Sequence, residues 1–186
     1  GMISRLAAWS MRRPLHHTLI FHRVRRKRDP MSPAEPTASW FRDLIAMLAR
    51  DFEPIALTDA IQRADSGSLE GGSISVTFDD GYADNFCVAL PILQEYQVPA
   101  TFFVASDFLD GGRMWNDSII ETIRRLPPGT HDLSFAGLET IELSDWPSRC
   151  HMAQTLITAW KHLPPTSTCA RKMAPMPRLT KRSFSR

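Results

Sequence analysis

The feature that most constrains the fold is an alternation of short apolar segments with amphipathic ones. The apolar segments are rich in β-branched residues and have the length of buried strands, which we expect at 18–24, 74–79 and 100–105. The amphipathic segments predict helices over about 39–50, 58–64, 84–94, 116–126 and 148–163, with Pro91 interrupting the third. Because strands that alternate with helices are typical of parallel βαβ units, we predict an α/β fold.

The predicted strand at 74–79 ends in two adjacent carboxylates, Asp79 and Asp80, which are followed by Gly81. Functional sites of parallel α/β proteins are built at the carboxyl ends of strands. Neighbouring strand residues point to opposite faces, so one carboxylate can hold a metal while the other accepts a proton from water. Asp-Asp-Gly is also a common turn sequence, and on its own it favours an ordinary turn.

The residues around this pair extend the pattern in both directions. The segments are IFHRV at 20–24, TFDDGY at 77–82, LPIL at 90–93, VPATFFV at 98–104 and MWND at 114–117. In this order they resemble the polysaccharide deacetylase family, the NodB-type group that forms carbohydrate esterase family 4. The resemblance spans roughly residues 17–117.

The resemblance implies a distorted (β/α)₇ barrel and a metal-dependent hydrolase that removes amide-linked acetyl groups from an acetylated polysaccharide or oligosaccharide. In the family's pattern Asp79 matches the catalytic base, and Asp80 matches the carboxylate ligand of a divalent metal, usually zinc. His22 and Trp115 are candidates for the substrate cleft. The alternatives are a hydrogen-bonded histidine at the barrel mouth for His22 and an ordinary core or rim aromatic for Trp115.

The sequence departs from the family at the metal site. The family's site also uses two histidines in a His-Ser/Thr-x-x-His segment, and no two of the six histidines here stand at that spacing. A catalytic zinc normally has three protein ligands and an open position. We therefore expect an incomplete barrel without its later strands, in a truncated chain whose zinc site is incomplete and inactive.

We expect residues 2–163 to form the N-terminal part of a deacetylase-like domain, and 164–186 to be a basic tail, disordered or non-native. All 20 acidic residues lie at or before Asp145, whereas eight of the 22 Lys and Arg follow it. No apolar run approaches the roughly 18 residues of a membrane span. Neither a transmembrane segment nor a signal peptide is evident, so we expect a cytoplasmic location.

The run at 23–28 is basic at five of six positions, and we interpret it as a solvated loop rather than as a nucleic-acid site. An incomplete barrel leaves an open edge, through which we expect self-association.

Two other functions stay open. One is a glycan-binding module that has lost catalysis, and the other is a phosphoryl-transfer enzyme of the haloacid dehalogenase type. The second is disfavoured because that class separates its two aspartates by one residue.

Overall fold

The computed structural model describes residues 15–132 and 140–161. They fall into two compact units, with the division between Gly112 and Arg113. The predicted tail at 164–186 lies outside the described residues, and the predicted domain bounds of 2–163 stay a prediction. Within the described part of the chain, no helix is both long and apolar enough to cross a membrane.

The first unit alternates strands and helices, as predicted. Its elements are β1 (His16–Phe21), α1 (Ala38–Asp51), β2 (Glu53–Pro54), α2 (Leu57–Asp65), β3 (Ser73–Phe78), a π-helical turn (Asn85–Ala89), α3 (Leu90–Glu95), β4 (Ala100–Phe102) and a 3₁₀ turn (Ser106–Phe108).

The strands of this unit form one parallel sheet around β3. β1 pairs with the whole of β3 on one side, from His16 opposite Ser73 to Phe21 opposite Phe78. On the other side, β2 pairs with the start of β3 and β4 pairs with its end. The predicted α/β class is confirmed. The described strands form an open sheet, and no closed barrel is seen among them.

The predicted first strand starts two residues and ends three residues too far along the sequence. The sequence favoured 18–24, but β1 ends at Phe21, where its partner β3 also ends. Beyond this point β3 turns away through Asp80, whose φ of 71° is incompatible with a continuing strand. Residues 22–24 therefore leave the sheet as a loop.

A cluster of aromatic rings fills the core between the sheet and α1. Phe78 stacks on Phe21 and Phe102 with ring centres 5.5 and 5.0 Å away, and it meets the edge of Phe41 at 5.8 Å. Phe41, Ile45 and Leu48 form the buried face of α1, at the helical spacing that the sequence showed.

The described residues of the second unit form α4 (Trp115–Arg125), a pair of antiparallel strands and α5 (Trp146–Trp160). The two strands are β5 (Gly129–His131) and β6 (Ile141–Leu143). α5 begins two residues before the predicted Ser148 because Asp145 caps it, accepting a hydrogen bond of 2.8 Å from the Ser148 N–H. This bond lowers the pKa of the Asp145 carboxyl group.

Arg149 joins α5 to the end of α4. Its guanidinium is buried and donates to the carbonyl groups of Ile123 and Leu126, at 2.7 and 2.9 Å. The last carbonyl groups of a helix lack partners within the helix, and a cation there is favourable.

We expect Arg149→Met to lower the free energy of unfolding by about 2 kcal/mol, because it leaves two inward-facing carbonyl groups without a donor. Urea denaturation would measure the loss. Arg113→Met removes an exposed arginine from the same unit and should leave the unfolding free energy almost unchanged. Equal effects of the two substitutions would contradict this role for Arg149.

Candidate active site

Asp79 and Asp80 follow directly after β3, at the carboxyl end of the central strand. Backbone hydrogen bonds from both neighbouring segments fix this end. The Asp79 N–H donates to the Phe21 carbonyl at 2.8 Å, and the Phe103 N–H donates to the Phe78 carbonyl at 2.7 Å. Both carboxylates remain partly exposed. The structure therefore places the two aspartates where the sequence predicted them, and their catalytic and metal-binding roles stay predictions.

The turn that carries the carboxylates depends on Gly81. Asp80 and Gly81 both adopt the left-handed region, with φ values of 71° and 70°. Aspartate tolerates this region better than most residues, and glycine occupies it freely. A Cβ atom on residue 81 would lie 2.8 Å from Val104 Cγ1 and 3.3 Å from Val104 Cα. The turn thus needs glycine both for its backbone angle and for the close approach of Val104.

Gly81→Ala is therefore expected to lower the free energy of unfolding by about 2–3 kcal/mol, since it adds a steric conflict to backbone strain. Gly67→Ala is a matched control. Gly67 has the same φ of 70°, but nothing lies within 4 Å of its added Cβ. It should cost only the strain, about 1 kcal/mol. Thermal or urea denaturation of both variants measures the difference, and equal losses would show that Val104 moves aside freely.

His22 is the predicted cleft residue that the structure brings to the carboxylates. Its Nε2 atom lies 3.9 Å from Oδ2 of Asp80, and the His22 and Asp80 side chains are 61% and 32% exposed. This distance is too long for a hydrogen bond, but it permits an ion pair when the imidazole is protonated. An imidazole nitrogen and a carboxylate oxygen, both of which can bind zinc, thus face each other.

An ion pair that the sequence analysis missed is formed by Arg23, the residue next to His22. The Nε and Nη2 atoms of Arg23 lie 2.8 and 2.7 Å from Oδ2 of Asp84. The guanidinium also lies 4.1 Å from the ring centre of Tyr82, and the Val24 N–H donates to Oδ1 of Asp84 at 3.4 Å. These contacts tie the loop after β1 to the turn after Gly81. Arg23 stood in a segment that resembles the family, IFHRV at 20–24, but nothing in the sequence indicated that it pairs with Asp84.

Trp115 belongs to the second unit, whereas His22 and the two aspartates belong to the first. It is the first residue of α4 in the second unit, and its side chain is 49% exposed. The proposal that it lines a sugar-binding cleft stays a prediction.

The described residues do not supply a complete zinc site. Among them, no three or more His, Cys, Asp or Glu side chains are grouped so that they could hold a metal ion. Asp80 and His22 offer two potential ligands, whereas a catalytic zinc normally has three from the protein. The family's metal therefore does not fit the described residues alone.

Comparison with known protein families gives a match for one segment of the chain. Residues 66–156, which include both aspartates, match the family model described as polysaccharide deacetylase. This segment is similar to part of a polysaccharide deacetylase domain. The resemblance seen in the sequence is thereby confirmed. His22 lies before the matched deacetylase segment.

Solved structures that resemble the chain include three proteins, two of which are described as deacetylases. The Streptococcus pyogenes deacetylase PplD in complex with acetate has 19% identity and a TM-score of 0.45, over 60% of this chain and 53% of that one. A de-N-acetylase from Aggregatibacter actinomycetemcomitans has 21% identity and a TM-score of 0.40, over 75% and 51%. IcaB from Ammonifex degensii has 20% identity and a TM-score of 0.45, over 80% and 70%.

The matched part of the chain thus spans about half the length of the first two structures. No curated protein matches the chain.

Proposed function

We propose that this chain carries the catalytic carboxylates of a metal-dependent deacetylase that hydrolyses amide-linked acetyl groups on an acetylated polysaccharide or oligosaccharide. The observation that carries the proposal is the position of Asp79 and Asp80, at the carboxyl end of β3 and inside the deacetylase segment. The proposed architecture is an incomplete barrel of the (β/α)₇ type.

The two aspartates would have different roles. Asp79 would accept a proton from the water that attacks the acetyl carbonyl, as a general base. An amide carbonyl is a poor electrophile, so the attack needs an activated water at a fixed position. The hydrogen bond from the Asp79 N–H to Phe21 supports this, because it fixes the backbone that carries the base. Asp80 would be one ligand of a divalent metal, which we propose to be zinc.

The chain alone should have little activity, since among the residues that the structure describes His22 is the one histidine that lies near Asp80 as a second potential ligand. We expect weak zinc binding and no measurable acetate release from chitotetraose by the 186-residue protein. A chimera would supply what is missing, joining residues 1–126 to the part of an active deacetylase that carries its His-Ser/Thr-x-x-His segment.

The chimera should bind zinc tightly and release acetate. Calorimetric zinc titration and an acetate assay on both proteins would test the proposal. Rapid turnover by the 186-residue chain would refute the incomplete site. A correctly folded, zinc-loaded chimera that releases no acetate would refute the proposed function itself.

The second candidate is a glycan-binding module without catalysis. It is favoured by one observation, that no three-ligand metal group exists among the described residues. This candidate predicts that the chain binds chitotetraose while even the zinc-loaded chimera leaves it intact.

A further inference from the structure

The basic run at 23–28 divides into two parts with different surroundings. Arg23 forms an ion pair with Asp84, and Arg25 forms ion pairs with Glu35 and Asp29. These two arginines therefore stabilise the conformation of the loop. Three exposed cations remain, namely Arg26, Lys27 and Arg28. The described part of the chain offers none of these three a hydrogen bond or ion pair.

The loop that carries these three cations is fixed at both ends. The Arg25 N–H donates to the Pro36 carbonyl at 2.8 Å, and the Ala38 N–H donates to the Arg25 carbonyl at 2.7 Å. Together with the ion pairs of Arg25, these bonds hold residues 26–35 as a closed loop against the start of α1. Because its base is fixed, the loop presents its charges at a defined place.

A groove with a volume of about 440 Å³ lies beside this loop. The residues that line it include Phe21, Arg28, Pro33, Glu35, Pro36 and Trp40. Small-molecule sites have volumes of about 300–1,000 Å³ and combine apolar walls with a few polar groups. The Glu35 carboxylate is already paired with Arg25, so Arg28 supplies the uncompensated charge of this groove.

The start of α1 adds positive potential to the same groove. Thr37, which also lines it, caps the helix by accepting a hydrogen bond of 3.4 Å from the Trp40 N–H. No acidic residue lies in the first turn of this 14-residue helix, so the positive end of its dipole is not neutralised there. Arg28 and the helix end therefore both favour an anion.

Trp40 gives the groove a flat apolar surface. Its side chain is 53% exposed although it stands on the helix that covers the core. The face of an indole ring is large, rigid and apolar, with an electron-rich π system. Such a face can pack against the C–H groups of a pyranose ring, while a nearby guanidinium binds a carboxylate on the same sugar.

Phe21 links the groove to the carboxylates. Phe21 lines the groove, its carbonyl accepts the hydrogen bond from the Asp79 N–H, and the next residue is His22. A polymer bound across the carboxyl end of β1 could therefore contact both places at once.

We propose that the groove formed by Arg28 and Trp40 binds a carboxylated sugar unit, so that the substrate is an acidic N-acetylated polysaccharide. The inference rests on the glycan-directed function proposed above. Arg28 binds the carboxylate, Trp40 packs against the sugar ring, and Arg26 and Lys27 add long-range attraction to a polyanionic chain.

The test compares two oligosaccharides of equal length with the full chain, by calorimetry at low salt. The hyaluronan hexasaccharide contains N-acetylglucosamine and carboxylated sugars, whereas chitohexaose contains N-acetylglucosamine alone. We expect hyaluronan to bind about tenfold more tightly, since one charge-assisted contact contributes about that factor. Arg28→Gln should reduce this preference about fivefold, and Arg113→Gln, which removes another exposed arginine, should leave it unchanged. Trp40→Ala should weaken the binding of both sugars.

Three results would overturn the proposal. The first is equal or absent binding of the two oligosaccharides, and the second is a preference that survives Arg28→Gln. The third is binding of polyglutamate or of single-stranded oligothymidylate as tightly as hyaluronan, which would show a general polyanion surface or a nucleic-acid site. Binding is measured without hydrolysis, so each of these results would remove the subsite and leave the proposed deacetylation to be decided by the chimera.

Discussion

Replacing Phe78 with alanine is expected to lower the free energy of unfolding by about 3–5 kcal/mol, the usual cost of deleting a buried phenylalanine ring. Phe78 is fully buried on the central strand and contacts three other rings. These rings come from β1, α1 and β4, so they cannot all move inward to fill the space. The cavity should therefore persist and carry its full cost.

Phe86→Ala is the matched control for this substitution. Phe86 is 73% exposed, so removing its ring should change the unfolding free energy by less than about 0.5 kcal/mol. Urea denaturation followed by circular dichroism would compare the two variants. A loss below about 1 kcal/mol for Phe78→Ala would mean that the four rings do not form the core of this unit.

The parallel sheet and its main helix could be predicted because their signals are local. The face of α1 that carries Phe41, Ile45 and Leu48 has helical spacing, and β3 is a short segment rich in β-branched residues. The placement of Asp79 and Asp80 followed from the end of that strand. Each of these inferences needs only neighbouring residues, and a parallel sheet then aligns the strand ends.

Pro91 shows how far such local reasoning extends. The sequence predicted an interruption in the helix at 84–94, because proline lacks an N–H and disfavours the preceding helical turn. In the structure, the π-helical turn Asn85–Ala89 comes first, and Pro91 then lies at the beginning of α3, where its missing N–H costs little. The sequence thus indicated an irregularity in this helical segment, but nothing in it indicated the π-helical form of residues 85–89.

The contacts that organise the candidate site could not be predicted in the same way. Arg23 and Asp84 are 61 residues apart, and in sequence Arg23 is simply the first member of a basic run. Only the structure shows that Arg23 and Arg25 form ion pairs whereas Arg28 is exposed. The 3.9 Å approach of His22 to Asp80 likewise joins residues that are 58 positions apart in the sequence. Charge pairing over long sequence distances has no period that a single sequence displays.

The largest catalytic effect is expected for Asp79→Asn in the chimera that carries the missing histidine segment. Asparagine has nearly the same shape and keeps the N–H that donates to Phe21, so the turn should stay intact. It cannot accept a proton from water at neutral pH. The rate of acetate release should therefore fall by about 10²–10⁴, the usual contribution of a general base.

The neighbouring carboxylate provides the decisive comparison. Asp80→Asn should weaken zinc binding by calorimetry, whereas Asp79→Asn should leave zinc affinity nearly unchanged while it abolishes turnover. Asp107→Asn, at an exposed aspartate of the 3₁₀ turn, controls for the loss of one negative charge and should alter neither property. If Asp79→Asn retained most of the activity, another group would have to take the proton. If Asp79→Asn lost zinc as readily as Asp80→Asn, the two adjacent carboxylates would share one role, and the proposed division of labour between them would be wrong.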